Sequence, residues 1–179
     1  LKENMAAALV MLTNWRKDRP FYDPVCGSGT ICIEAALIGH NIAPGFNRSF
    51  TCETWDWVDP AIFEKVRNEA EAKADYDVEL DICGSDVDGR MIEVARANAE
   101  EVGLGDSITF KQLALKDFTT EKEYGVMVAN PPYGERLGEE ESVRRLYKEM
   151  GHVFRPLTTW SKYILTSDLA FEEYYGAKA

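Results

Sequence analysis

Positive charge is scarce in this chain: 179 residues carry 20 Lys and Arg against 31 Asp and Glu, a formal net charge of −11. Affinity for a polyanion comes largely from neutralised phosphates, so bulk charge cannot hold a nucleic acid here. Histidine is scarcer, with two in all, and the four cysteines (Cys26, Cys32, Cys52, Cys83) show no Cys-x-x-Cys spacing. These shortages argue against a zinc site and a disulfide framework, and the expectation is free thiols in a reducing cytosol. No stretch approaches the ~20 apolar residues of a membrane span, no signal-like segment opens the chain, and no repeat or low-complexity tract appears. A cytoplasmic protein without membrane or metal is expected, one domain by length and large enough for a real core.

Two nucleotide-binding patterns are also missing. The run Phe21-Tyr22-Asp23-Pro24-Val25-Cys26-Gly27-Ser28-Gly29-Thr30 reads as a strand passing through a glycine loop into a helix, Thr30 to Gly39. No Lys follows Gly29, which removes a P-loop. A dinucleotide fingerprint needs a third glycine three positions after the second, and Cys32 stands there. It also needs an acid about 20 residues on, whereas the next strand-end acid, Asp86, lies much further along. What the loop does have is suited to another ligand. Gly27 and Gly29 permit a tight turn and close approach, and free N–H groups at the helix start attract a carboxylate. Asp23 at the strand end would repel a pyrophosphate but attract an ammonium, which favours S-adenosylmethionine over a dinucleotide. Asp86 ends a second strand and can accept hydrogen bonds from two ribose hydroxyls. Asp88 competes for that role but is better explained as a helix N-cap.

A third segment, Asn130-Pro131-Pro132-Tyr133, follows the apolar run Tyr124 to Ala129. The prolines end the strand, so the tetrapeptide lies in a loop at a strand's carboxyl end, where open α/β sheets bind ligands. The Asn130 side-chain oxygen and the Pro131 carbonyl can accept hydrogen bonds from an exocyclic amino group. Paired prolines hold the backbone still, and Tyr133 offers a stacking face worth roughly 1–3 kcal/mol per base. The same tetrapeptide also serves as a plain strand-to-loop stop.

Taken in order, Asp23-Pro24-x-Cys26-Gly27-Ser28-Gly29-Thr30, Gly84-Ser85-Asp86 and Asn130-Pro131-Pro132-Tyr133-Gly134 resemble class I methyltransferases acting on exocyclic amino groups. More closely, the chain resembles the catalytic domain of bacterial THUMP-containing 23S ribosomal RNA guanine-N2 methyltransferases, a family often labelled N6-adenine-specific DNA methylases. Leu1 to Leu9 and Asn41-Ile42-Ala43-Pro44-Gly45 extend the likeness over most of the chain. The resemblance implies a cofactor site at Asp23, Pro24, Cys26, Gly27, Ser28, Gly29 and Thr30, with Asp86 on the ribose and Glu3 and Asn4 as further contacts. It implies Asn130, Pro131, Pro132 and Tyr133 as the catalytic loop holding the base. It also implies RNA capture shared with a THUMP module outside these residues. One departure is that no Asp directly follows the third strand at Gln112 to Leu115, which leaves Asp117 or a backbone amide for the cofactor adenine. A DNA adenine methylase and a non-catalytic or NAD-binding Rossmann-type module remain as alternatives.

Element by element, helices are expected over Glu3–Arg16, Thr30–Gly39, Pro60–Ala74, Gly89–Val102, about Glu141–Phe154 and from Leu169. Strands are expected over Phe21–Val25, Glu79–Ser85, Ser107–Leu113, Tyr124–Ala129 and Ser161–Thr166. Such alternation predicts a Rossmann-like α/β domain, 1–179, with a mostly parallel sheet and helices on both faces. Five strands are two short of the usual seven, and the chain begins with Leu. Both suggest a fragment of a longer protein, truncated before a C-terminal hairpin. Between helices, Asn41–Asp59 reads as an irregular insertion whose aromatics can stack on RNA bases or fold back over the sheet, with burial the expectation for Trp55 and Trp57 and substrate contact for Arg48. Arg136 is a second candidate substrate contact. It stands with Arg144, Arg145 and Lys148, but Glu139-Glu140-Glu141 sits among them, which reads as a solvated face rather than a phosphate track.

Overall fold

The computed structural model describes residues 1–132 and 140–178. Helix α1 (Glu3–Met11) leads into strand β1 (Phe21–Asp23) and helix α2 (Thr30–Gly39); the insertion and helix α3 (Pro60–Glu71) follow. Then come β2 (Ile82–Asp86), α4 (Gly89–Glu101), β3 (Ile108–Gln112), β4 (Val126–Ala129), α5 (Glu140–Phe154), β5 (Ser161–Ile164) and α6 (Phe171–Tyr175). The strands form one sheet in the order β3-β2-β1-β4-β5, and each neighbouring pair is parallel. The expected doubly covered α/β sheet is thus what the chain builds.

The central strands β1 and β4 are covered on both faces and buried throughout, and the period of two sorts their residues between two cores. In β4, Val126 and Val128 join the core under α1, α2 and α4, while Met127 and Ala129 join the one under α5 and α6. On the first face the small residues Cys32, Ala35, Ala36, Ala95 and Ala99 are buried and let the helices lie close to the sheet. On the second, Val143, Tyr147, Met150 and Phe154 recur at helical spacing along α5 and are all buried.

Several elements stop sooner than the periodicity predicts, each for a local reason. Helix α1 ends at Met11 rather than Arg16. Beyond it, Thr13 Oγ1 donates to the Val10 carbonyl at 2.7 Å and accepts the Trp15 N–H, a local alternative to helix. Strand β1 ends at Asp23 rather than Val25 because the Asp23 carboxylate accepts the Val25 N–H at 3.1 Å, an Asx turn that curls the chain out of the sheet. Strand β4 starts at Val126 because Tyr124 has φ of 58°, outside any strand conformation.

The insertion departs further from expectation. Trp55 and Trp57 stack on each other with centroids 5.1 Å apart, but they are 46% and 79% exposed rather than folded onto the sheet. The loop is tied instead to α3, where Arg67 bonds both the Arg48 carbonyl and the Glu53 carboxylate. An apolar cavity of ≈ 440 Å³ lies between Ile42–Phe46, Phe50 and α3, and it shares no lining residue with the strand ends.

Candidate active site

The strand register determines where the polar strand-end residues meet. Asp23 on β1 pairs with Gly84 on β2, so Asp86 stands two residues further toward the carboxyl edge. On the other side Tyr22 pairs with Met127, so Asn130 likewise stands two residues past the level of Asp23. With about 3.3 Å of rise per residue and about 4.8 Å between strands, both lie about 7 Å above Asp23 and about 10 Å apart. Because the Asx turn withdraws β1 early, Asp23 stands between and below the ends of β2 and β4, the place where open α/β sheets form their ligand crevice. It is also where the sheet order reverses, the position at which open α/β sheets take ligands.

Asp23 is 1% exposed and, among the described residues, pairs with no cation. Burial pushes its carboxyl up to about 7; the Val25 N–H offsets part of this, and the Asp86 charge adds to it. A carboxylate left without a counter-charge at that depth suits a ligand that brings an ammonium group. Asp86 is half-buried and divides its oxygens between two turns. Its Oδ2 accepts the Gly27 N–H at 3.0 Å, and its Oδ1 accepts the Asp88 N–H at 2.9 Å. Each oxygen keeps a lone pair for a ligand hydroxyl. Asp88 instead caps α4 through the Arg90 N–H at 2.9 Å, as expected of a helix N-cap, and pairs with the Arg90 guanidinium.

The glycine loop runs from Cys26, whose N–H bonds the Ser85 carbonyl at 2.9 Å, to Thr30 at the start of α2. Gly27 and Gly29 have φ of 50° and 82°, conformations that other residues adopt only with strain. A Cβ on Gly29 would stand 2.8 Å from Phe110 Cζ and 3.0 Å from Ala95 Cβ, so this glycine also allows close packing on β3 and α4. At Gly27 a Cβ would meet nothing within 4 Å, which is the open side of the loop. Pro24 and Cys26 are buried, and burial raises the Cys26 thiol so that it stays protonated. Ser28 Oγ and Thr30 Oγ1 are 3.2 Å apart at the mouth of the helix. An ammonium above Asp23, a carboxylate at the N-terminus of α2 and a ribose at Asp86 therefore fit this donor set.

Of the expected catalytic loop, Pro131 is fully buried, Pro132 is exposed and Asn130 is half-buried at the strand end. Tyr133 and Arg136 lie outside the described residues. Asp117 sits on the same edge after β3 but is exposed, on a short turn held by its N–H to the Ala114 carbonyl at 2.9 Å. Arg48 is not brought to the strand ends by any contact among the described residues; its guanidinium lies over the Phe50 ring at 4.6 Å.

This geometry has close relatives. The whole chain, residues 1–179, matches the RMKL-like methyltransferase domain family, UPF0020. The chain belongs to that family. Within it, the chain is 63% identical over its full length to YpsC of Bacillus subtilis, named provisionally as an RNA methyltransferase, and covers 46% of that protein. It is 39% identical over 175 residues to ribosomal RNA large subunit methyltransferase K/L of Shewanella baltica, covering 94% of this chain and 25% of that one. The crystal structure of SMU.472 complexed with SAH superposes with a TM-score of 0.96 at 61% identity, over 99% of this chain and 47% of that one. The chain therefore spans about half the length of YpsC and SMU.472.

Two contributors escape a reading by motif. Val87 directly follows Asp86 at the carboxyl end of β2 and is 70% exposed. Asn98 reaches from α4 to the Ser28 carbonyl at 2.9 Å. The available signal was its position beside the buried Ala95 and Ala99 stripe, where a polar side chain needs a partner.

Proposed function

We propose that this chain is the catalytic domain of an S-adenosylmethionine-dependent RNA methyltransferase that methylates an exocyclic amino group, guanine N2 in 23S ribosomal RNA. The observation that supports it most is the crevice over β1, in which Asp23, Asp86 and Asn130 stand at three adjacent strand ends beside a two-glycine loop. Family membership and the SAH held by SMU.472 support the same cofactor. The name of the K/L relative supports ribosomal RNA as substrate.

In this reading Asp23 holds the cofactor ammonium, the amides at the start of α2 hold its carboxylate, Asp86 holds its ribose, and Val87 and Asp117 border its adenine. The cofactor supplies an activated methyl group. The target nitrogen is a poor nucleophile because its lone pair is delocalised into the ring. Asn130 and the Pro131 carbonyl accept its two N–H groups, favour a pyramidal nitrogen and aim the lone pair at the methyl carbon, and the methylated nitrogen then gives up one proton to water. Positioning then supplies much of the rate. The base has to be unpaired, at a cost of a few kcal/mol that stacking on Tyr133 offsets. Arg48 and Arg136 are the proposed contacts to flanking RNA. A net charge of −11 supports sharing RNA capture with a THUMP module outside these residues.

The test is transfer of labelled methyl groups to unmodified 23S ribosomal RNA and to duplex DNA side by side, with digestion to nucleosides. N2-methylguanosine from RNA alone is the expected product. N6-methyladenine from DNA would replace this reading with the adenine methylase alternative.

A further inference from the structure

We infer that Asn98, on α4, is a positioning residue for the cofactor loop. The inference rests on the cofactor reading above. Ser28 stands between two glycines with positive φ, so the peptide planes on either side of it are freer to rotate than any others near the crevice. The plane joining Ser28 to Gly29 is pinned at both ends. Its N–H, from Gly29, donates to the Cys26 carbonyl at 2.8 Å, and its carbonyl, from Ser28, accepts from Asn98 Nδ2 at 2.9 Å.

Among the described residues no other group donates to the Ser28 carbonyl. Two peptide planes earlier, the Cys26–Gly27 plane is held from β2, where the Gly27 N–H meets Asp86. Asp86 thus fixes the loop from β2 while Asn98 fixes it from α4, and the first free amides of α2 are aimed by the plane between them. If the Asn98 amide is lost, the Ser28 carbonyl can turn toward the crevice, where an oxygen would face the carboxylate of the ligand.

A matched control lies two residues away on the same helix. Arg96, also on α4, donates to the Phe110 carbonyl at 2.9 Å and pairs with Glu93, so it ties α4 to β3 without touching the loop. The experiment is calorimetric titration of the wild-type chain, Asn98→Ala, Asn98→Asp and Arg96→Ala with S-adenosylhomocysteine, with urea unfolding of each. Asn98→Ala should raise Kd roughly three- to tenfold. Asn98→Asp, which sets a carboxylate against the carbonyl, should raise it at least tenfold, about 1.4 kcal/mol. Arg96→Ala should lower stability and leave Kd within twofold. Unchanged affinity in folded Asn98→Ala would overturn the inference, as would Arg96→Ala weakening binding as much as Asn98→Ala. Failure of the wild-type chain to bind would overturn the cofactor reading itself.

Discussion

Replacing Asp23 by Asn should stabilise the ligand-free protein at alkaline pH while removing its affinity for the cofactor. The carboxyl is raised by burial from its ordinary 3.8 to about 7. Between those values the folded chain holds a proton that the unfolded chain has released. Folding stability contributed by Asp23 therefore falls as pH rises from about 4 to about 7 and is constant above. Each pH unit is worth about 1.4 kcal/mol, so the penalty grows by about 2–3 kcal/mol between pH 5 and 8. Asn is isosteric and keeps an acceptor for the Val25 N–H, but it does not titrate. Urea denaturation of both proteins at pH 5 and pH 8 gives the stability difference, mutant minus wild type, at each pH. Comparing the two differences cancels any pH-independent cost of the new amide. It should rise by about 2–3 kcal/mol at the higher pH. Binding should show the converse, with wild-type affinity for S-adenosylhomocysteine improving as pH rises through 7 and the variant weak and flat. A stability difference that stays constant with pH would refute the idea that Asp23 is a buried carboxyl awaiting an ammonium.

Three other outcomes follow from the same geometry. Asn130→Ala should cut methyl transfer at least 100-fold and leave cofactor Kd within threefold; parallel loss of both would remove its assigned role. Asp86→Ala should weaken S-adenosylhomocysteine at least tenfold in calorimetry, whereas Asp88→Ala should cost about 1 kcal/mol of stability as a lost N-cap and leave binding unchanged. Gly29→Ala, with φ of 82° and Phe110 Cζ 2.8 Å from the new methyl, should lose about 2–4 kcal/mol in urea unfolding. Gly27→Ala, which meets no atom within 4 Å, should lose about 1–2 kcal/mol; equal losses would contradict the packing account.

Much of the site was legible because its parts are local in sequence. Gly27 and Gly29 announce a turn that only they tolerate, and the prolines after Asn130 announce the end of a strand. Asp88 declared itself a cap by standing just before the helical run that begins at Gly89. Less legible were element ends, which depended on single side chains. Thr13 closed α1 five residues early, and Asp23 shortened its own strand by bonding the Val25 N–H. The insertion misled because aromatic content was read as a demand for burial. Glu53 and Arg67 instead tie the loop to α3, leaving Trp57 in solvent.

By itself, the sequence determined the alternation of helices and strands, the parallel sheet and the three loops that carry polar residues, since each follows from spacing within about ten residues. The tertiary structure alone decided that Asp23, Asp86 and Asn130 stand at adjacent strand ends, because that depends on β1 lying between β2 and β4 and on a register linking residues more than 50 positions apart. The same holds for the raised carboxyl of Asp23 and the reach of Asn98 to Ser28, 70 residues away. Burial and long-range hydrogen bonds are properties of the packed chain, and no local pattern encodes them.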